Sequence, residues 1–235
     1  MKKLIVIAND LERSGNSTVT RAIAYHLAQQ EVDSLLITSD ENDLDETFPG
    51  EYWDLEDQID SSELFAALEG HDAVIVDLHS GAARNWADFC SGESIDNLLA
   101  ELDVEMTLVI PDTSTERCNE EIFDLTELFS DSSDYVIARM PVEDKGHVKW
   151  KGSEADKATR YLGATLISLP AFAEEFLMAL ENSEATVVTA LNSPSALPRF
   201  AEVQAHQWLD SAADILSNAN DFLVPDGVGE TVLGY

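Results

Sequence analysis

Lys2-Lys3-Leu4-Ile5-Val6-Ile7-Ala8, followed by Asn9-Asp10-Leu11-Glu12-Arg13-Ser14-Gly15-Asn16-Ser17-Thr18, is the stretch on which the fold turns. Its first seven residues form an apolar run rich in β-branched side chains, the profile of a strand buried on both faces. The next ten are polar and turn-prone. Beyond them Val19, Ile23, Ala24 and Leu27 recur at helical spacing, so the order reads strand, loop, helix. In α/β proteins the first such loop often holds a phosphate, because helix N-terminal amides and glycine-rich backbone face the anion.

The same alternation repeats along the chain. Further strands are expected over 33–38, 72–78, 106–111 (stopped by Pro111), 134–139 and 164–170. Helices are expected over 62–68, 86–102, 113–130 (capped by Ser114), 153–161, 172–181 and 200–218. The last of these turns Val203, Trp208, Ala212 and Leu216 inward. Residues 41–60 carry little periodicity around a turn at Phe48-Pro49-Gly50, and 193–199 read as a Pro/Ser linker. Six strands, separated by connections long enough for right-handed crossovers, predict an α/β protein: a doubly wound, mostly parallel sheet with helices on both faces. One domain spans 1–220, and 221–235 form a C-terminal tail. Ligands of such sheets sit at the carboxyl ends of the strands. Loop 9–18, Asp40, Asp77 and Gly81 all fall on that edge and are taken as one site.

Charge is the outlying property. The 235 residues hold 46 acidic and 13 basic side chains, a formal −33. The acids are spread along the chain, as for a solvated surface adapted to salt. A field directed at a basic partner, or a mimic of DNA, is the alternative. Either way, direct DNA binding is disfavoured, because phosphate contacts need Lys and Arg. The locally basic stretch 141–153, with Lys145, His147, Lys149, Trp150 and Lys151, reads as a loop of internal ion pairs, the alternative being a nucleic-acid or partner contact. No run of about eighteen apolar residues predicts a membrane span. Cys90 and Cys118 suit a reduced cytoplasm.

Ala8 to Leu27 resembles the opening of the ParA/MinD family of deviant P-loop ATPases, whose loop reads Lys-Gly-Gly-x-x-Lys-Ser/Thr. Leu11 stands at the family's signature lysine, Glu12 and Arg13 at its glycines, and Asn16 at its second lysine. In the P-loop frame Asp10 takes the first-glycine slot and Gly15 the second. Ser17, with Thr18 beside it, keeps the Mg²⁺-ligating hydroxyl. At the end of the second strand Thr38 and Asp40 stand at the family's aspartate pair, which makes Asp40 the candidate catalytic carboxylate. Its plain alternative is a solvated acidic loop shared with Asp43 and Asp45. Asp77 ends an apolar strand in the Walker B manner, and Asp77 to Gly81 resembles the family's Asp-x-x-x-Gly switch. The resemblance thus implies Mg-ATP held by Gly15, Asn16, Ser17, Thr18, Asp77 and Gly81, with Ser17 and Asp77 at the Mg²⁺. The segment at Arg139 and Met140 would lie near the base.

The departures have a physical meaning. Leu11 and Asn16 supply no cation to offset phosphate charge, Glu12 adds a negative charge, and the lost glycines stiffen the nest. The resulting expectation is a degenerate, non-hydrolysing docking or regulatory protein. Trp86 after Asp77, Leu169-Pro170 and His206-Gln207-Trp208-Leu209 are similar to short ParA-like proteins of plasmid mobilisation and conjugation. That similarity implies a role in DNA transfer or plasmid maintenance through a protein partner, such as a basic DNA-processing protein, and a homodimer around nucleotide. A weak Mg-ATP switch and an acidic DNA mimic stay open as alternatives.

Overall fold

The computed structural model describes residues 1–39, 50–55, 59–141, 150–183 and 185–227. Asp40, Asp43 and Asp45, and Lys145, His147 and Lys149 of the basic stretch, lie outside the described residues.

Seven strands form one sheet: β1 (Lys2–Ile7), β2 (Ser34–Thr38), β3 (Gly50–Tyr52), β4 (Ala73–Asp77), β5 (Val104–Asp112), β6 (Asp134–Arg139) and β7 (Thr165–Ser168). Their order is β3-β2-β4-β1-β5-β6-β7, and every pairing is parallel. The connections carry helices α1 (Asn16–Gln29), α2 (Ser61–Gly70), α3 (Ala83–Gly92), α4 (Ile95–Glu101), α5 (Glu116–Phe129) and α6 (Glu154–Tyr161). Helices α7 (Glu174–Asn182), α8 (Val187–Asn192), α9 (Arg199–Leu216) and α10 (Asn220–Leu223) follow β7.

Because successive strand side chains point to opposite faces, β1 divides its burial between two cores. Leu4 and Val6 face the layer built from α2 to α6, where Trp86, Ile95, Ile122 and Phe129 pack. Ile5 and Ile7 face the layer of α1 and α7 to α10, with Ile23, Leu27, Phe176 and Trp208. All four β1 side chains are fully buried, as the continuous apolar run requires of a central parallel strand.

Beneath the sheet, at its N-terminal edge, the chain's later residues close the structure. Buried Lys3 pairs with Glu105 and donates to the Asp221 carbonyl. Thr107 Oγ1 donates to the Phe222 carbonyl at 2.7 Å, and His26 Nε2 meets Asn220 Oδ1 at 2.8 Å. Leu223 is fully buried there.

Several local expectations are revised. A seventh strand, β3, lies in the stretch without periodicity; three residues on the edge beside β2 are too few to show a period. Residues 86–102 form two helices rather than one, because Ser94 adopts φ 53° and breaks the ladder. Helix α5 is capped by Thr115, whose hydroxyl accepts from the Cys118 amide, while Ser114 takes φ 56°. Strand β5 runs through Pro111, which pairs in register with Ala138. Val203 is 38 % exposed, so the inner face of α9 excludes it. Among the described residues no helix is long and apolar enough to cross a membrane.

Candidate functional site

The loop after β1 is tied to its surroundings through several of its polar side chains. Gly15 adopts φ 99° at the N-cap of α1, a conformation glycine takes without steric cost. A Cβ there would come within 3.0 Å of the Met140 methyl. Asn9, fully buried, donates from Nδ2 to the Pro111 carbonyl at 2.8 Å and accepts from the Leu11 amide at 2.9 Å. This ties the loop to the end of β5 and starts its first turn.

Asn16, at the position of the family's second lysine, points inward. Its Nδ2 donates to the Leu78 carbonyl at 2.8 Å and to the Asn9 carbonyl at 3.2 Å. Its Oδ1 accepts from Ser14 Oγ at 2.8 Å. The side chain therefore bridges the ends of β1 and β4, and its polar atoms are spent on the protein itself.

Asp10, at the first-glycine position, performs a second bridge. Its Oδ1 accepts from the amides of Gly81 and Ala83 at 2.9 and 3.2 Å. Ser80 Oγ donates to the Leu11 carbonyl at 3.1 Å, closing the same junction. Helix α3 has no cap of its own and no acidic residue in its first turn. The carboxylate thus supplies from another loop the negative charge that a helix N-terminus attracts. Behind it, Glu121 accepts from the Asp10 amide at 3.4 Å. Burial, then the Asp10 charge, pushes the Glu121 carboxyl above its usual range.

On the other side of the loop lies a cavity of about 680 Å³. Residues 13–18, Thr38 and Ser39 after β2, and Asp77 to Ser80 after β4 line it. Its remaining wall is Thr186 to Val188, at the start of α8. Gly15 offers α1 no side-chain cap, and the first residues of that helix line the cavity. Ser39 Oγ and His79 Nδ1 are 2.8 Å apart at its rim. Gly15, Asn16, Ser17, Thr18 and Asp77 are brought together as the sequence predicts. Gly81 belongs instead to a neighbouring cavity, on the far side of the loop, that Asp10, Arg13, Thr115 and Arg117 also line.

Chemically the site is divided. Ser17 and Asp77 offer the hydroxyl and carboxylate that Mg²⁺ accepts alongside phosphate oxygens and water, and both line one cavity. Among the described residues no cluster of three or more His, Cys, Asp and Glu side chains is arranged to hold a metal. The phosphate cradle fits less well. The Asn16 amide is consumed internally, and the cavity's cationic side chain is Arg13 alone among the described lining residues.

Pattern reading missed the wall contributed by 186–188. The Thr186–Thr189 capping box that starts α8 was its available signal. Arg139 is placed apart from the cavity: its Nε donates to buried Asp112 at 3.1 Å, and its guanidinium lies over Trp150 at 5.3 Å.

Sheet order, the loop after the central strand and the strand-end Asp77 together define an α/β protein built on a seven-stranded, wholly parallel sheet, with its candidate site at the carboxyl ends of the strands. No protein-family model matches the sequence, and no curated protein does. Solved structures similar to it include the MinD cell division protein of Aquifex aeolicus, 16% identical, with 92% of this chain and 97% of that one covered and a TM-score of 0.49. The same organism's MinC:MinD complex gives 16%, 92%, 96% and 0.47. A nucleotide-binding protein from Archaeoglobus fulgidus, in complex with ADP, gives 13%, 74%, 84% and 0.40. At these identities the likeness concerns the fold alone.

Proposed function

We propose that this chain is a degenerate ParA/MinD-like protein that acts as a non-hydrolysing docking or regulatory factor, through protein partners, in DNA transfer or maintenance. The observation that carries this reading is Asn16. Where a phosphate-binding lysine would reach the ligand, its amide is bound to the Leu78 and Asn9 carbonyls. Phosphoryl transfer depends on positioned positive charge around the β- and γ-phosphates. A loop that spends its polar atoms on its own backbone offers little of it. A charge of −33 favours a basic protein as the partner and repels free polyanions.

Titration calorimetry with Mg·ATP tests the reading. No heat is expected from the native chain. A specific heat that disappears in Asp77→Ala would overturn it in favour of a second reading, a Mg-nucleotide switch. That alternative is supported by the 680 Å³ cavity lined by Ser17, Thr38 and Asp77. In it Ser17 and Asp77 would hold Mg²⁺, which when bound neutralises phosphate charge. The N-terminus of α1 would face the anion.

A further inference from the structure

We infer that Asp10 is a built-in latch: its carboxylate holds the 79–83 turn and the start of α3 against loop 9–14 in one position, whether or not a nucleotide is present. The inference rests on the docking reading above and deepens it, because it says how the docking face is kept in shape.

The turn is of a kind that answers to anions. Residues 79–82 reverse the chain between β4 and α3, with Gly81 at φ 94° and open space where a Cβ would be. Amides that converge at a helix N-terminus favour whatever negative group is presented to them. A free anion would make the position of this turn depend on ligand. Here the negative group is covalently part of the chain, and it arrives from 71 and 73 residues away to accept from the Gly81 and Ala83 amides. Its effective concentration at these amides is that of an intramolecular ligand.

The latch has a second point and a backstop. Ser80 Oγ donates to Leu11 O, so the two segments are joined through a side chain of each. Glu121 holds the Asp10 amide from behind, fixing the carboxylate's own backbone. The joined segments, with Thr113, Thr115 and Arg117, enclose the second cavity, also about 680 Å³. Arg13 and Arg117 also line it.

The latch is tested by amide hydrogen exchange, read residue by residue at Gly81 and Ala83, on the native full chain, Asp10→Asn and Asp10→Ala, each with and without Mg·ATP. Native protection at both amides is expected to be high and unchanged by nucleotide. Asp10→Ala is expected to speed exchange there about tenfold or more, with Asp10→Asn between, since it keeps an acceptor and loses the charge. Amides of β1 report that each variant is folded. Equal exchange at Gly81 and Ala83 in native and Asp10→Ala chains would overturn the latch, as would a change on adding Mg·ATP to the native chain. Calorimetric binding of Mg·ATP with protection at the two amides unaltered would remove the docking reading and leave the latch standing.

Discussion

Asn16→Asp is the sharpest probe of the loop, because it changes chemistry at constant volume. In the native chain Nδ2 faces two carbonyls, of Asn9 and Leu78, at 3.2 and 2.8 Å, and the residue is 9% exposed. A carboxylate oxygen in that place removes both donors, opposes two acceptors and brings a charge into a largely buried site. Each carbonyl left unpaired costs about 1–3 kcal/mol, and the charge adds to this, so a total of about 3–5 kcal/mol is expected. Asn16→Ala loses the same bonds but admits no charge and is expected to cost about 2 kcal/mol. For a domain of this size each kcal/mol lowers Tm by about 2–4 °C. Thermal unfolding followed by circular dichroism should therefore rank native above Asn16→Ala above Asn16→Asp, with the last lower than native by about 10 °C. A fully stable Asn16→Asp would refute the inward-facing bridge, and with it the argument that the loop's polar atoms are unavailable to phosphate.

Four other outcomes follow from the same contacts. Gly15→Ala should lose about 1–2 kcal/mol from left-handed backbone strain; adding Met140→Ala should relieve only the 3.0 Å contact, so the double variant remains less stable than Met140→Ala alone. Trp86→Ala, at a fully buried side chain, should cost about 3–5 kcal/mol in urea titration. Burial holds His26 below its ordinary value, so the unfolded chain takes up the proton first. The native chain should lose stability as pH falls from about 7.5 through about 6.5, a pH-dependent loss that His26→Gln lacks. Finally, raising NaCl from about 0.1 to 1 M shortens the Debye length from about 10 to 3 Å. With a charge of −33 this should raise Tm, and a fall would contradict self-repulsion as the main surface effect.

The sheet was legible because β1, β4, β5 and β6 are short, largely apolar and rich in β-branched residues, as strands buried on both faces are. What escaped was short or depended on distant partners. Strand β3 has three residues, and its pairing with β2 is invisible to a local pattern. The break at Ser94 is a matter of backbone conformation in a sequence that looks helical throughout. Residue types marked the loop and Asp77, which line one cavity, but Gly81 falls to the neighbouring one, and what the side chains do was not legible. Asp10 could be recognised as a misplaced acid; that it caps a helix beginning at residue 83 requires knowing that the two loops meet. Asn16 likewise reads as a missing cation, and only its geometry reveals a strut.

The ammonium of Lys3, held by the Asp221 carbonyl, gives the polypeptide an order of assembly. β1 occupies the middle of the sheet, yet its flanking strands begin at residues 73 and 104, and its lysine finds an acceptor more than 200 residues later. A nascent chain emerging from the ribosome would expose this apolar ribbon until β4 and β5 are made. Its lysine can pair with Glu105 once β5 is made, but the Asp221 carbonyl joins it only when the last helices follow. Folding of this topology is therefore expected to be slow and to complete late, as distant pairings impose.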